Sequence, residues 1–163
     1  MRMSFRVQSF IPAVIAGASL LCAAAPAFAV AVPGYAGTPA HGSPSSCFEF
    51  GTGGMVTNYC SGEEYFEIPM AVNPGAHTVT VATYNNGGGT FNCTLYAART
   101  TNAGEILTAG TSHAPAVGYS TWSVSVTVAS GGGGYGVVNG DGSMYLYCEM
   151  NNGGTIHNVN YSE

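Results

Sequence analysis

The sequence predicts an all-β protein, a single-domain antiparallel β-sandwich of the jelly-roll or Greek-key type with about eight strands and two disulfides. Short segments alternate apolar and polar residues with a period of two, which is typical of half-buried strands. Turns rich in Gly and Asn separate these segments, and no segment shows the period of an amphipathic helix. The clearest alternation runs over 121–129, where Trp122, Val124, Val126 and Val128 share one face.

The first 29 residues have the organisation of a secretory signal peptide. Arg2 and Arg6 precede an apolar run over 10–25, and residues 27–29 form an A-x-A cleavage site. The apolar run is too short to favour a membrane-spanning helix, and Pro26 follows it. We therefore expect cleavage after Ala29 and a secreted location, extracellular or periplasmic.

Residues 30–46 differ in composition from the chain that follows. They contain three Pro, three Gly and three Ser without sustained alternation, which predicts a flexible arm. An arm that adds a strand to a neighbouring subunit is the alternative, but Pro33 and Pro39 would interrupt such a strand. The β-sandwich domain is expected over 47–163.

The charge balance excludes two classes of partner. The full chain has three basic and eight acidic residues. Loss of Arg2 and Arg6 with the signal peptide leaves Arg99 as the one basic residue, so the mature charge is 1 − 8 = −7. Nucleic acids and anionic membranes require clusters of Lys and Arg, so we expect neither as a partner. A glycan or another extracellular protein remains as the expected partner.

The domain opens with a predicted hairpin stapled by a disulfide. Folding the chain about Gly53-Gly54 brings Cys47 directly opposite Cys60, in a non-hydrogen-bonded pair that accepts a cross-strand disulfide. The aromatic residues on the opposite face of this hairpin are expected in the core: Phe48, Phe50 and Tyr59.

The remaining two mature cysteines lie on the apolar faces of the strands predicted at 90–99 and 143–150. Four cysteines permit three connectivities, and parity favours Cys47–Cys60 with Cys93–Cys148. If these two strands are antiparallel neighbours, positions that sum to 241 pair, so Tyr96 lies opposite Tyr145 with Tyr147 close by. If the bond instead crosses between the sheets, this pairing disappears.

The other segments complete the sandwich. A strand over 65–72 has Phe66 and Ile68 inward, and Pro69 predicts that it lies at an edge. Further strands are expected over 76–84 and 156–161, and a long loop over 101–115, which lacks a clean period.

Outward-facing tyrosines are the most suggestive functional feature. Their rings can stack on sugars or anchor a protein interface. Tyrosine is also common in strands for reasons of packing alone. Alternation turns these tyrosines outward: Tyr65, Tyr84, Tyr96, Tyr145 and Tyr147. The candidate ligand-binding residues are Tyr96, Tyr145 and Tyr147.

Catalytic and metal motifs are weak. The chain lacks a G-x-S-x-G nucleophile motif, and its four histidines lack metal-binding spacing. Asn139, Asp141 and Ser143 have the spacing that begins a calcium loop, but Met144 and Met150 replace the Gly and Glu that such a loop requires. We expect no catalytic residue, no cofactor and no metal.

The sequence thus predicts a secreted non-catalytic β-sandwich that acts as an extracellular structural or binding module. One alternative is a carbohydrate-binding module that uses the outward tyrosines. A second alternative is a secreted hydrolase, because glycoside hydrolysis needs paired carboxylates. The carboxylates considered for it are Glu149 and the group Glu63, Glu64 and Glu67.

Overall fold

The computed structural model describes residues 29–101, 104–128 and 143–162. The predicted signal peptide, apart from Ala29, and the start of the calcium-loop pattern at 139–142 lie outside the described residues. No helix in the described ranges is long and apolar enough to cross a bilayer. Two short 3-10 turns lie at Gly34–Ala36 and Ser45–Cys47. The strands are β1 (Ala29–Pro33), β2 (Thr38–Ala40), β3 (Phe48–Phe50), β4 (Val56–Asn58), β5 (Glu64–Ala71), β6 (Gly75–Asn85), β7 (Asn92–Thr101), β8 (Gly104–His113), β9 (Gly118–Val128), β10 (Ser143–Met150) and β11 (Thr155–Ser162).

These strands form two antiparallel sheets, which confirms the predicted β-sandwich. Sheet A has the order β3-β4-β11-β6-β9, with β1 also paired to β11, and sheet B has the order β2-β5-β10-β7-β8. From β4 onward, the eight strands form two four-stranded layers, β4-β11-β6-β9 and β5-β10-β7-β8, in jelly-roll topology. Seven of these eight strands were expected from the sequence, and the eighth, β8, was not. The other expected strand is β3, and β1 and β2 are further additions.

The core lies between the two sheets and is built by strict alternation. On β6 and β9, Val79 pairs with Val124 and Val81 with Trp122, and all four side chains are buried. Sheet B supplies the facing layer, in which Phe66, Ile68, Leu95 and Leu146 are fully buried. The Trp122 indole N–H donates to the Thr83 hydroxyl (3.2 Å), so its polar atom is satisfied within the core.

Both predicted disulfides are present, but the register of the first hairpin differs from the expectation. Cys47 and Cys60 are bonded with Cα atoms 5.0 Å apart, yet Phe48 pairs with Asn58 and Phe50 with Val56, one residue out of the predicted register. The turn causes the shift, because the Gly51 N–H donates to the Met55 carbonyl and closes a five-residue loop rather than a two-residue turn.

The expectation for the hairpin aromatics is correct for one residue of three. Phe48 is buried, whereas Phe50 is 50% and Tyr59 is 60% exposed. Phe50 lies at the end of the short edge strand β3, where it still contacts the Phe66 ring at 6.3 Å between centroids. Tyr59 lies beyond the end of β4.

The expected flexible arm over 30–46 is instead part of both sheets. β1 pairs with β11 over five residues, and β2 pairs with Tyr65–Glu67 of β5. Val30 and Val32 pack against the core. The composition misled the prediction, because these strands are held by backbone pairing at sheet edges and are too short for a clear alternation.

The segment predicted as a loop over 101–115 contains β8. A β-bulge places Gly110 and Thr111 opposite the single residue Leu95, so the side-chain parity changes within the strand and the period-two signal is lost.

The prediction that the strand containing Pro69 lies at a sheet edge is correct only around Pro69 itself. Tyr145 of β10 pairs with Pro69, and β2 ends opposite Glu67, so no described strand requires the missing Pro69 N–H.

Candidate functional site: the aromatic face of sheet B

Pairing between β7 and β10 positions the three candidate tyrosines. Cys93 pairs with Cys148, to which it is bonded with Cα atoms 4.0 Å apart, and Tyr96 pairs with Tyr145. This is the predicted register in which paired positions sum to 241. The cysteines face the core, so the tyrosines, which have the opposite parity along each strand, face outward. The tyrosine side chains are half-buried.

The rings form a continuous surface. Tyr96 and Tyr145 stack with centroids 5.2 Å apart, and Tyr147 meets Tyr96 edge-on at 6.3 Å. Tyr65 on β5 extends the surface, since it stacks on Tyr147 at 5.6 Å. We call these four tyrosines, together with His41, the aromatic face. Alternation predicted that Tyr65 points outward, but its place beside Tyr147 depends on the β5–β10 pairing, which the sequence did not reveal.

His41 is the functional candidate that sequence reasoning missed. Its ring lies 5.6 Å from that of Tyr65 and 5.5 Å from that of Tyr147. The segment that carries it is held to β5 by the pairing of β2 and by a hydrogen bond from the Tyr65 N–H to the Ser43 hydroxyl (2.8 Å). No local pattern signals this contact, because it joins a Pro/Gly-rich segment to a strand more than twenty residues later.

Acidic groups border the aromatic face and shift the pKa values of its tyrosines. The Tyr65 hydroxyl donates to a Glu149 carboxylate oxygen (3.2 Å), and the negative charge of Glu149 raises the pKa of Tyr65. Burial, with the negative charge of neighbouring groups, raises the pKa of Tyr147 to about 12. Both tyrosines are therefore neutral hydrogen-bonding groups at physiological pH.

The structure brings together only some of the carboxylates considered for a hydrolase. The Glu63 and Glu149 carboxylates lie close enough to interact, and Glu67 pairs with Tyr147 across the strands. The Glu64 carboxylate lies apart, 3.6 Å from the Cys47 sulfur. Hydrogen bonds from the Thr90 side chain and backbone lower the pKa of Glu63. A glycosidase general acid requires a raised pKa, so Glu63 does not suit that role.

The described residues offer no usable metal-binding cluster. The group with suitable spacing is Cys47, Cys60 and Glu64, and both of its cysteines are consumed by the disulfide. His77 on β6 and His157 on β11 have separate environments. His77 contacts backbone carbonyls, whereas the ring of His157 lies 5.6 Å from that of Tyr119.

Comparison with known proteins identifies the fold. No protein-family model matches this chain, and no curated protein matches it. Among solved structures, the C-terminal CBM6 of LamC, a marine laminarinase from Zobellia galactanivorans, matches with a TM-score of 0.51 at 11% identity, covering 83% of this chain and all of that one. The carbohydrate-binding module CBM6cm-2 from Cellvibrio mixtus lichenase 5A, in complex with cellotriose, matches with a TM-score of 0.50 at 11% identity, covering 82% of this chain and 96% of that one. At this identity the likeness shows a shared β-sandwich fold.

Proposed function

We propose that this chain is a secreted, non-catalytic carbohydrate-binding module whose aromatic face stacks on sugar rings. The observation that carries the proposal is the continuous outward surface of Tyr65, Tyr96, Tyr145 and Tyr147 on sheet B. Tyrosine rings present an apolar face to the C–H groups of a sugar and a hydroxyl to its polar edge.

Two features restrain the surface before a ligand binds. The Cys93–Cys148 bond fixes the two strands that carry three of the tyrosines, and ring stacking restrains the side chains. Preorganisation of this kind reduces the entropy lost on binding. Around the rings, Glu67, Glu149 and Asn92 offer hydrogen-bonding groups for sugar hydroxyls, since Glu149 pairs with Asn92 and Glu67 with Tyr147.

The fold is compatible with this role, because a module of the same fold is known in complex with cellotriose. Fold likeness alone does not assign function, so the proposal depends on the aromatic face.

Secretion is part of the proposal. Two disulfides suit an oxidising compartment, and cleavage after Ala29 leaves Val30–Pro33 of β1 to pair with β11. Mass spectrometry of the secreted protein tests this cleavage, which predicts Val30 as the first residue.

Depletion binding to insoluble cellulose, xylan, β-1,3-glucan and galactan tests the proposed function. We expect binding to at least one of these polysaccharides and a loss of about tenfold or more in affinity for Tyr96→Ala and Tyr145→Ala. Tyr59→Ala is the matched control, because Tyr59 is 60% exposed and lies outside the aromatic face. Near-ultraviolet circular dichroism establishes that each variant is folded. Failure to bind any polysaccharide, or full binding by Tyr145→Ala, would contradict the proposal.

A further inference from the structure

The outer face of sheet A differs in chemistry from the aromatic face. Small hydroxyl residues pair across β6 and β9, with Thr78 3.0 Å from Ser125 and Thr80 2.9 Å from Ser123 between hydroxyl oxygens. Where these strands approach the loops at one end of the sandwich, the small residues give way to rings. Tyr84 pairs with Tyr119, and the ring centroids are 4.7 Å apart.

A β-bulge adds a histidine to these rings. The register of β11 against β6 shifts between Ile156 and Asn158, so His157 is the extra residue. Bulges commonly redirect a side chain at a functional site. Here Ile156 remains buried in the core, while the His157 ring lies on the outer face, 5.6 Å from Tyr119.

Tyr119, His157 and the strands beside them border a hollow of about 330 Å³ that is open to solvent. Its lining residues are Ala82, Thr83, Tyr119, Ser120, Thr121 and His157. The volume lies at the lower end of the range for small-molecule sites and suits a single sugar ring. Tyr119 is 79% exposed, so an occupant can reach its ring.

One polar atom of a lining residue lacks a partner. His157 Nε2 is shielded from solvent and makes no hydrogen bond to any described residue. An unsatisfied buried polar atom destabilises a protein by about 1–3 kcal/mol. A ligand hydroxyl that reached Nε2 once the groups covering it moved aside would remove this cost.

We propose that this hollow is a second carbohydrate site, which takes one neutral sugar ring. Tyr119 stacks on the ring, and His157 Nε2 hydrogen-bonds to a hydroxyl. The occupant is neutral because no lining residue carries a carboxylate, ammonium or guanidinium group. Sheets A and B expose opposite faces of the sandwich, so this site together with the aromatic face would make one chain bivalent. The bivalency, unlike the second site itself, rests on the proposed function.

Nuclear magnetic resonance tests the second site directly. The methyl β-glycosides of glucose, galactose, mannose and xylose are titrated into the folded chain while the His157 imidazole and Tyr119 ring signals are followed. At least one sugar is expected to shift both signals. Tyr119→Ala should weaken the interaction about tenfold or more, and His157→Phe, which keeps a ring but loses Nε2, by about tenfold. Tyr35→Ala, a change at another exposed tyrosine, serves as the control and should bind as the unaltered chain does.

The outcomes separate this inference from the proposed function. If none of the four sugars shifts His157, or if binding persists in Tyr119→Ala, the second site does not exist, whatever happens at Tyr145. If Tyr145→Ala leaves the His157 response intact while polysaccharide depletion is lost, both sites exist and are independent. Bivalency then predicts that the unaltered chain makes a soluble neutral polysaccharide turbid, and that Tyr119→Ala and Tyr145→Ala each abolish the turbidity.

Discussion

Among single residues, His77 is a buried polar group held by two contacts. It is 4% exposed, and its Nδ1 and Nε2 lie 2.7 Å from the carbonyl oxygens of Ser162 and Asn73. The ring therefore joins the last strand to the turn that precedes β6. We expect His77→Phe to lower the free energy of unfolding by about 1–3 kcal/mol, because the imidazole N–H donates to one of these carbonyls and phenylalanine has no donor.

Urea unfolding measures this loss. Thr127→Ala is the control, because Thr127 is an exposed neighbour on β9 and its change should stay within about 0.5 kcal/mol. Equal stability of His77→Phe and the unaltered chain would show that the two contacts make no net contribution to the free energy of unfolding.

The raised pKa of Tyr147 predicts a loss of stability at alkaline pH. Between pH 10, its ordinary value, and about 12, the unfolded chain releases this proton while the native chain retains it, so the free energy of unfolding falls as pH rises. Tyr147→Phe should reduce the slope in this window. The measurement is chemical unfolding at a series of pH values, with Tyr59→Phe as the control for loss of one hydroxyl. An unchanged slope in Tyr147→Phe would exclude this residue as a source of the alkaline sensitivity.

Sequence reasoning located three residues of the aromatic face, and for physical reasons it missed His41 of that face and His157 on sheet A. Tyr96, Tyr145 and Tyr147 followed from alternation and one disulfide, since a single cross-strand bond fixes the register of two strands. His41 and His157 did not follow. One depends on contacts distant in sequence, and the other on a bulge that breaks the alternation.

At the scale of elements, the two disulfides differ in the length of chain that they close. Cys93–Cys148 spans 55 residues and Cys47–Cys60 spans 13. A larger closed loop restricts the unfolded chain more, so replacing both cysteines by alanine should cost about 4 kcal/mol for the first pair and about 3 kcal/mol for the second. Urea unfolding of the two double variants without reductant gives the comparison. A larger loss for the Cys47–Cys60 pair would contradict the loop-length argument.

The elements that the sequence predicted well have one face in the core and regular pairing along their length. β6, β9 and β10 are of this kind, because burial of one face imposes a period of two. β1 and β2 have five and three residues and pair through the backbone, which leaves almost no signal in side-chain order. The Cys47–Cys60 disulfide was predicted correctly although the predicted register of the first hairpin was wrong by one residue, because Cys60 lies just beyond the paired residues.

For the whole molecule, net charge predicts which polysaccharides are disfavoured. The full chain has a charge of −5, and Glu63, Glu67 and Glu149 border the aromatic face. Polygalacturonate should therefore bind more weakly than a neutral polysaccharide at low salt. The difference should narrow between about 0.01 and about 1 M salt, as the screening length falls from about 30 to about 3 Å. Affinity electrophoresis at both salt concentrations measures this difference. Tighter binding of polygalacturonate than of the neutral polysaccharide at low salt would contradict the prediction.

The bond between Cys93 and Cys148 also determines how the molecule responds to pulling. A module anchored to a polysaccharide in flowing liquid carries tension along its backbone. The bond withholds the 55-residue span between the two cysteines from extension, which corresponds to roughly 190 Å of contour length. Single-molecule stretching should therefore yield a shorter unfolded chain in oxidising buffer, and a reductant should release the withheld length. Three tyrosines of the aromatic face lie on the two strands that this bond joins, so this part of the face would then resist peeling by the load that a bound polysaccharide transmits.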